Sequence, residues 1–77
     1  MSIPTLAEIE DAAATLSGVI RRTPMDESLH LTDLLGVPVA LKLENLQRTG
    51  SFKLRGAAYR LSRLTEDERA RGVVAAS

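Results

Sequence analysis

Phe52 and Tyr59 are the only aromatic side chains in this 77-residue chain, which also has no cysteine. Those two facts constrain the fold more than any motif does. A chain this short buries only about 60% of the surface its extended form exposes, so it is marginal without a staple. Disulfides and thiolate metal sites are excluded with cysteine, and His30 is the single histidine. Any core must therefore be aliphatic, built from the Leu, Val, Ile and Ala of a composition that is 44% apolar.

Ten basic and ten acidic residues cancel, so no net field draws the chain to nucleic acid or to a membrane surface. No apolar run approaches the roughly 18 residues that a membrane span requires. The opening "MSIPTLAEIEDAA" is acidic early and does not read as a secretory signal. A cytoplasmic location is the default expectation.

Local signals divide the chain cleanly. Thr5 and Glu8 form a capping box, and Leu6, Ile9, Ala13 and Leu16 then recur at helical spacing, with Gly18 as the stop. Pro24 holds Thr23 toward an extended conformation. A second helix is expected from Ser28 to Leu35, ended by a left-handed Gly36. In "VPVALKLEN", Val39, Leu41 and Leu43 alternate with Ala40 and Lys42, which is strand periodicity. "QRTGS" is a loop by composition. A third helix begins near Phe52 and carries Ala57, Leu61 and Leu64 on one face. Thr65 and Glu68 make another capping box for a short helix that Gly72 ends. The closing "VVAAS" reads as a buried parallel strand reaching its edge. Helices alternating with short apolar strands point to an open α/β architecture. Two strands alone cannot make a sheet that buries both faces.

Lys53 is oddly placed within this pattern. Ser51 suits the N-cap position, which makes Phe52 and Lys53 the first helical residues. A cation at an opening turn meets the positive end of the helix dipole and is disfavoured by roughly 0.3–1 kcal/mol when exposed. That is a cost for a structural lysine and a benefit for a nucleophile, which needs the free amine. Phe52 supplies an apolar neighbour and Arg55 a nearby cation, while Gly50 and Gly56 leave room for a flat ring or a phosphate to approach. An ordinary exposed lysine is the bland alternative. The cluster Lys42, Arg48, Lys53 and Arg55 likewise reads either as a solvated basic edge or as a small phosphate- or nucleotide-binding module. It lacks aromatic stacking platforms for single-stranded nucleic acid. His30 has no second ligand nearby and reads as a surface or cap residue. Glu44 and Asn45 read either as a turn or as groups that orient the loop after them.

"RRTPM" at 21–25, "VALKLENLQRTGSFKLRGA" at 39–57 and "GVVAAS" at 72–77 together resemble the beginning of a threonine ammonia-lyase (threonine dehydratase). These are pyridoxal-phosphate enzymes of the tryptophan synthase β-like family, fold type II. The resemblance covers essentially the whole chain in order, and serine racemases and serine dehydratases share much of it. It implies an α/β fold with an open, mostly parallel sheet, of which residues 1–77 are an incomplete N-terminal portion of the catalytic domain. It implies that Lys53 forms the internal aldimine with pyridoxal 5'-phosphate, that Phe52 lines the cofactor site, and that Ser51 and Gly50 shape the preceding loop. Ser77 would begin a loop that meets the substrate carboxylate. The reaction implied is deamination of L-threonine to 2-oxobutanoate and ammonia, with L-serine as the related substrate and a homo-oligomer as the expected assembly. Family members hold the cofactor's phosphate in a glycine-rich cup far downstream, and the five glycines here never cluster into one. The expectation for the chain alone is a non-catalytic piece that offers the lysine and little else.

Overall fold

The computed structural model of the chain describes residues 2–76, so the expected substrate contact at Ser77 lies outside the described residues. Helix α1 (Leu6–Leu16) opens with the expected reciprocal cap: Thr5 Oγ1 accepts from Glu8 N at 3.2 Å and Glu8 returns a contact to Thr5 N at 2.9 Å. Beyond it the chain turns at Gly18, whose φ is +84°. Strand β1 (Met25–Glu27) follows, then helix α2 (Leu29–Leu35), capped by Ser28 and closed by Gly36 in the left-handed conformation. Strand β2 (Ala40–Lys42) leads into a single 3₁₀ turn at Glu44–Leu46. Helix α3 (Lys53–Ser62) and helix α4 (Glu66–Arg71) complete the order, the last with the Thr65–Glu68 capping box.

β1 and β2 pair antiparallel, with Met25 opposite Lys42, Asp26 opposite Leu41 and Glu27 opposite Ala40. Backbone bonds from Leu43 N to Pro24 O (3.0 Å) and from Ser28 N to Val39 O (2.9 Å) extend the ladder at both ends. α2 fills the connection and is tied back by Val39 N donating to Thr32 Oγ1 at 2.9 Å. β1 has no counterpart in the sequence expectation, because Met-Asp-Glu has no alternation and becomes a strand only through its partner. The strand expected at "VVAAS" does not form among residues 73–76. Backbone in a strand needs a neighbour to bond, and among the described residues none runs beside it.

α1 and α3 pack together through a polar cluster. Asp11 pairs with Arg63, and the Arg63 guanidinium lies 4.8 Å from the centre of the Tyr59 ring. Leu16 is the one buried apolar side chain among the described residues. The apolar stripe of α1 is present by spacing, yet Leu6 and Ile9 remain exposed. The helix carries its core-facing residues, but this chain does not cover them.

Candidate functional site

Lys53 is the first residue of α3. The regular helix runs from Lys53, but Phe52 before it already has helical angles (φ −70°, ψ −16°) and makes no side-chain cap bond, which leaves Ser51 in the place of the expected serine cap. Ser51 Oγ still reaches back over the opening turn and accepts from Lys53 N at 3.4 Å. The loop ahead turns at Gly50, with a φ of +78° that a side chain would strain. A Cβ there would meet nothing within 4 Å, so the backbone angle rather than crowding calls for glycine.

Of the four clustered cations, three are spent on internal contacts. Lys42 Nζ donates to Thr23 O at 2.5 Å, Arg48 Nε donates to Val19 O at 3.0 Å, and Arg55 Nε pairs with Glu44 Oε1. Among the described residues the Lys53 ammonium alone of the four has neither a hydrogen bond nor an ion pair. A phosphate-binding cluster would need these cations free and converging, so the structure weighs against that alternative. Arg55, expected as a cation acting on Lys53, instead has its charge compensated by Glu44.

Glu44 is the centre of this arrangement. Its Oε1 accepts from Arg55 and its Oε2 accepts from the Thr23 hydroxyl at 2.5 Å. The Arg55 hydrogen bond, the Thr23 hydroxyl and the Lys42 charge pull its carboxyl from the usual 4.5 down to about 2, against the opposing effect of desolvation. Next to it Gln47, only 4% exposed, closes a two-point contact with one residue. Arg21 N donates to Gln47 Oε1 (2.7 Å) while Gln47 Nε2 donates to Arg21 O (2.9 Å). No local pattern marks Thr23 or Gln47 as buried anchors, since both act on residues more than 20 positions away.

The two sides of α3 differ in what they carry. Phe52, Arg55, Tyr59 and Arg63 form one stripe at helical spacing. Phe52 and Arg55, with Glu44, Lys42, Arg22 and Ile20, line an open cavity of about 640 Å³ between α3 and the end of α1. Lys53 does not line that cavity. It falls on a second stripe, roughly 120° round the helix, with Ala57, Arg60 and Leu61. Those three, Leu64 and Val73–Ala75 border a smaller apolar cleft of about 330 Å³. Residues 73–75, though not a strand, thus border the face of α3 that bears the lysine.

This setting, a free lysine on the first turn of a helix behind a positive-φ glycine, is one in which an amine can attack a carbonyl. A family model described as pyridoxal-phosphate dependent enzyme matches residues 16–77, and the chain belongs to that family. It is 51% identical over 73 residues to an L-threonine ammonia-lyase of Thermotoga maritima, covering 95% of this chain and 18% of that protein. A putative threonine dehydratase of Sinorhizobium fredii is also 51% identical over 73 residues, at 95% and 22% coverage. A catabolic L-threonine dehydratase of Staphylococcus aureus is 45% identical over 76 residues, at 97% and 22%. The chain therefore spans about a fifth of the length of these curated relatives. No solved structure matches it.

Proposed function

We propose that residues 1–77 are the N-terminal portion of the catalytic domain of a cytoplasmic, homo-oligomeric lyase. It converts L-threonine to 2-oxobutanoate and ammonia, with L-serine as the related substrate. Its complete fold is an open, mostly parallel sheet. The observation that carries this reading is Lys53: an unpartnered ammonium on the opening turn of α3, within a chain of the pyridoxal-phosphate family. The names of the relatives support threonine as substrate, and their length supports a larger catalytic domain.

The residues present fit one end of the cofactor. Lys53 Nζ would attach to its aldehyde carbon, and the ring of the adjacent Phe52, 67% exposed, is open to contact. The phosphate end needs backbone N–H groups converging from a loop and a helix start. The positive-φ glycines, at 18, 36, 50 and 72, sit instead in four separate turns, so the phosphate must be held by residues outside this chain. When bound, the cofactor supplies an electron sink for charge developing at the substrate's Cα. With the cofactor bound, Lys53 on the opening turn of α3 would be the group that takes up the Cα proton. Gly50 and Ser51 hold the loop that presents it.

Borohydride reduction of the pyridoxal-phosphate-loaded protein, followed by peptide mapping, tests the assignment. The expected result is a cofactor adduct on Lys53 that Lys53→Ala abolishes together with ammonia release from threonine. Lys42→Ala should retain the Lys53 adduct. An adduct that persists at full yield in Lys53→Ala would show that the nucleophile lies elsewhere.

A further inference from the structure

We infer that Glu44 is a positioning residue for Lys53: held between Thr23 and Arg55, it fixes the opening turn of α3 against the Arg21–Thr23 segment. The inference rests on the proposed role of Lys53 and adds the groups that set where that lysine stands.

The opening turn of α3 is poorly secured by its own residues. Phe52 makes no side-chain cap bond and is largely exposed, so neither capping nor packing anchors it. The contact from Ser51 Oγ to Lys53 N is long, at 3.4 Å. The next tertiary contacts of the helix, from Tyr59 and Arg63 to Asp11, lie one to two turns further on. Among the described residues the Arg55–Glu44 pair is the side-chain contact from outside the helix that reaches its opening turn.

Glu44 is well placed to hold that turn. Its side chain is 14% exposed, and its second oxygen is taken by the hydroxyl of Thr23, itself 4% exposed. Thr23 is in turn held through its carbonyl by Lys42. The 3₁₀ turn that carries Glu44 is tied to the same upstream segment by the paired bonds between Gln47 and Arg21. Three cations face this cavity, namely Arg22 from the connection before β1, Lys42 from β2 and Arg55 from α3, and Glu44 is the one carboxylate among its lining residues. Without it Arg55 has no other anion there to bind. Its guanidinium would turn to water, and the opening turn would be left to a long serine contact.

The test compares the full-length parent protein, loaded with pyridoxal phosphate, with its Glu44→Gln and Asp11→Asn variants. Asp11→Asn severs the other ion pair to α3 but touches its far end. Two quantities are read on samples matched for far-UV circular dichroism: the rate at which a borohydride-trappable adduct forms on Lys53, and the induced circular dichroism of the bound cofactor. Loss of hydrogen bonds to a charged group predicts that Glu44→Gln slows adduct formation about tenfold and weakens the induced signal. Asp11→Asn should change neither. If Glu44→Gln does not fold, Thr23 decides the matter: Thr23→Ser should match the parent, and Thr23→Val should show the slow adduct and weak signal. Equal rates and signals in Glu44→Gln and the parent would overturn the positioning role, as would equal losses in Glu44→Gln and Asp11→Asn, or equal behaviour of the two Thr23 variants. A parent protein that forms no adduct on Lys53 overturns the lyase reading itself and this inference with it.

Discussion

Glu44 joins three parts of the chain through two oxygen atoms, and its ionisation controls whether they stay joined. The Arg55 guanidinium and the Thr23 hydroxyl hold its carboxyl at about 2, below the usual 4.5. A carboxyl depressed in the folded state contributes stability that is fully present above its unfolded value and is lost as pH falls through its folded value. The Glu44 contribution should therefore be complete above about pH 4.5, decline below it, and vanish near pH 2. The carboxyl carbon resonance of Glu44 in the folded protein reports this directly, with an expected midpoint well under 4.5. A midpoint at the ordinary value would mean that Arg55 does not hold the group in solution. Both carboxylate oxygens of Glu44, the side-chain amide of Gln47 and the hydroxyl of Thr23 tie this region together. Of these anchors the sequence raised Glu44 alone, as part of a turn or as a group orienting the loop after it, and its partners were not legible. Glu44 and Arg55 are 11 positions apart, and Thr23 and Glu44 are 21 apart, so no local pattern joins them. Lys53 stands out in the sequence because its oddity is local: a cation on an opening turn is unusual whatever packs against it.

Three of the four helices were readable from their ends inward, for the same local reason. A cap is a bond between a side chain and a backbone group three residues away, and it forms before any tertiary contact. Thr5 with Glu8, Ser28 with Leu31, and Thr65 with Glu68 all make the bonds their spacing predicts. α3 is weaker at its start, where the serine contact, Ser51 Oγ accepting from Lys53 N, is long at 3.4 Å. Strands depend on partners, and here the sequence is less informative. β2 was foreseen by alternation, although it is confined to Ala40–Lys42, while β1 and the antiparallel register follow only from the pairing. Because the caps act locally, their loss should be measurable without the rest of a catalytic domain. Replacing an N-cap threonine with alanine costs about 1 kcal/mol, roughly a fivefold change in the local helix equilibrium. Thr5→Ala should lower the Cα shifts that report helix across residues 6–16 and leave 66–71 unchanged, and Thr65→Ala should do the reverse. Loss in both segments from either variant would show that α1 and α4 form as one cooperative unit instead.

At the scale of the whole molecule the chain is too open to be a self-sufficient domain. Its radius of gyration is 16.4 Å, whereas a compact domain of this length has about 11.5 Å. Its accessible surface is 6683 Å², well above the roughly 4,600 Å² of a folded monomer of this mass. The excess is apolar in large part: Ile3, Leu6, Leu29, Leu34 and Val74 are all more than two-thirds exposed. Hydrophobic burial is the main favourable term in folding, and it must offset ordering entropy of similar size. Here that burial has been left undone on the first half of α1, on α2 and along residues 73–74. Cysteine and clustered metal ligands, which rescue other small scaffolds, are missing from the chain and from the described residues respectively. The cleft beside Leu61 and Leu64 lies on the same stripe of α3 as Lys53. The 77-residue chain alone should accordingly show partial helicity by circular dichroism and no cooperative thermal transition. It should release no ammonia from threonine, with or without added pyridoxal phosphate. A sharp melting transition accompanied by threonine-dependent turnover would contradict this, and would require that the exposed aliphatic faces find one another in solution, by collapse or between copies, in an arrangement that also closes around the cofactor's phosphate.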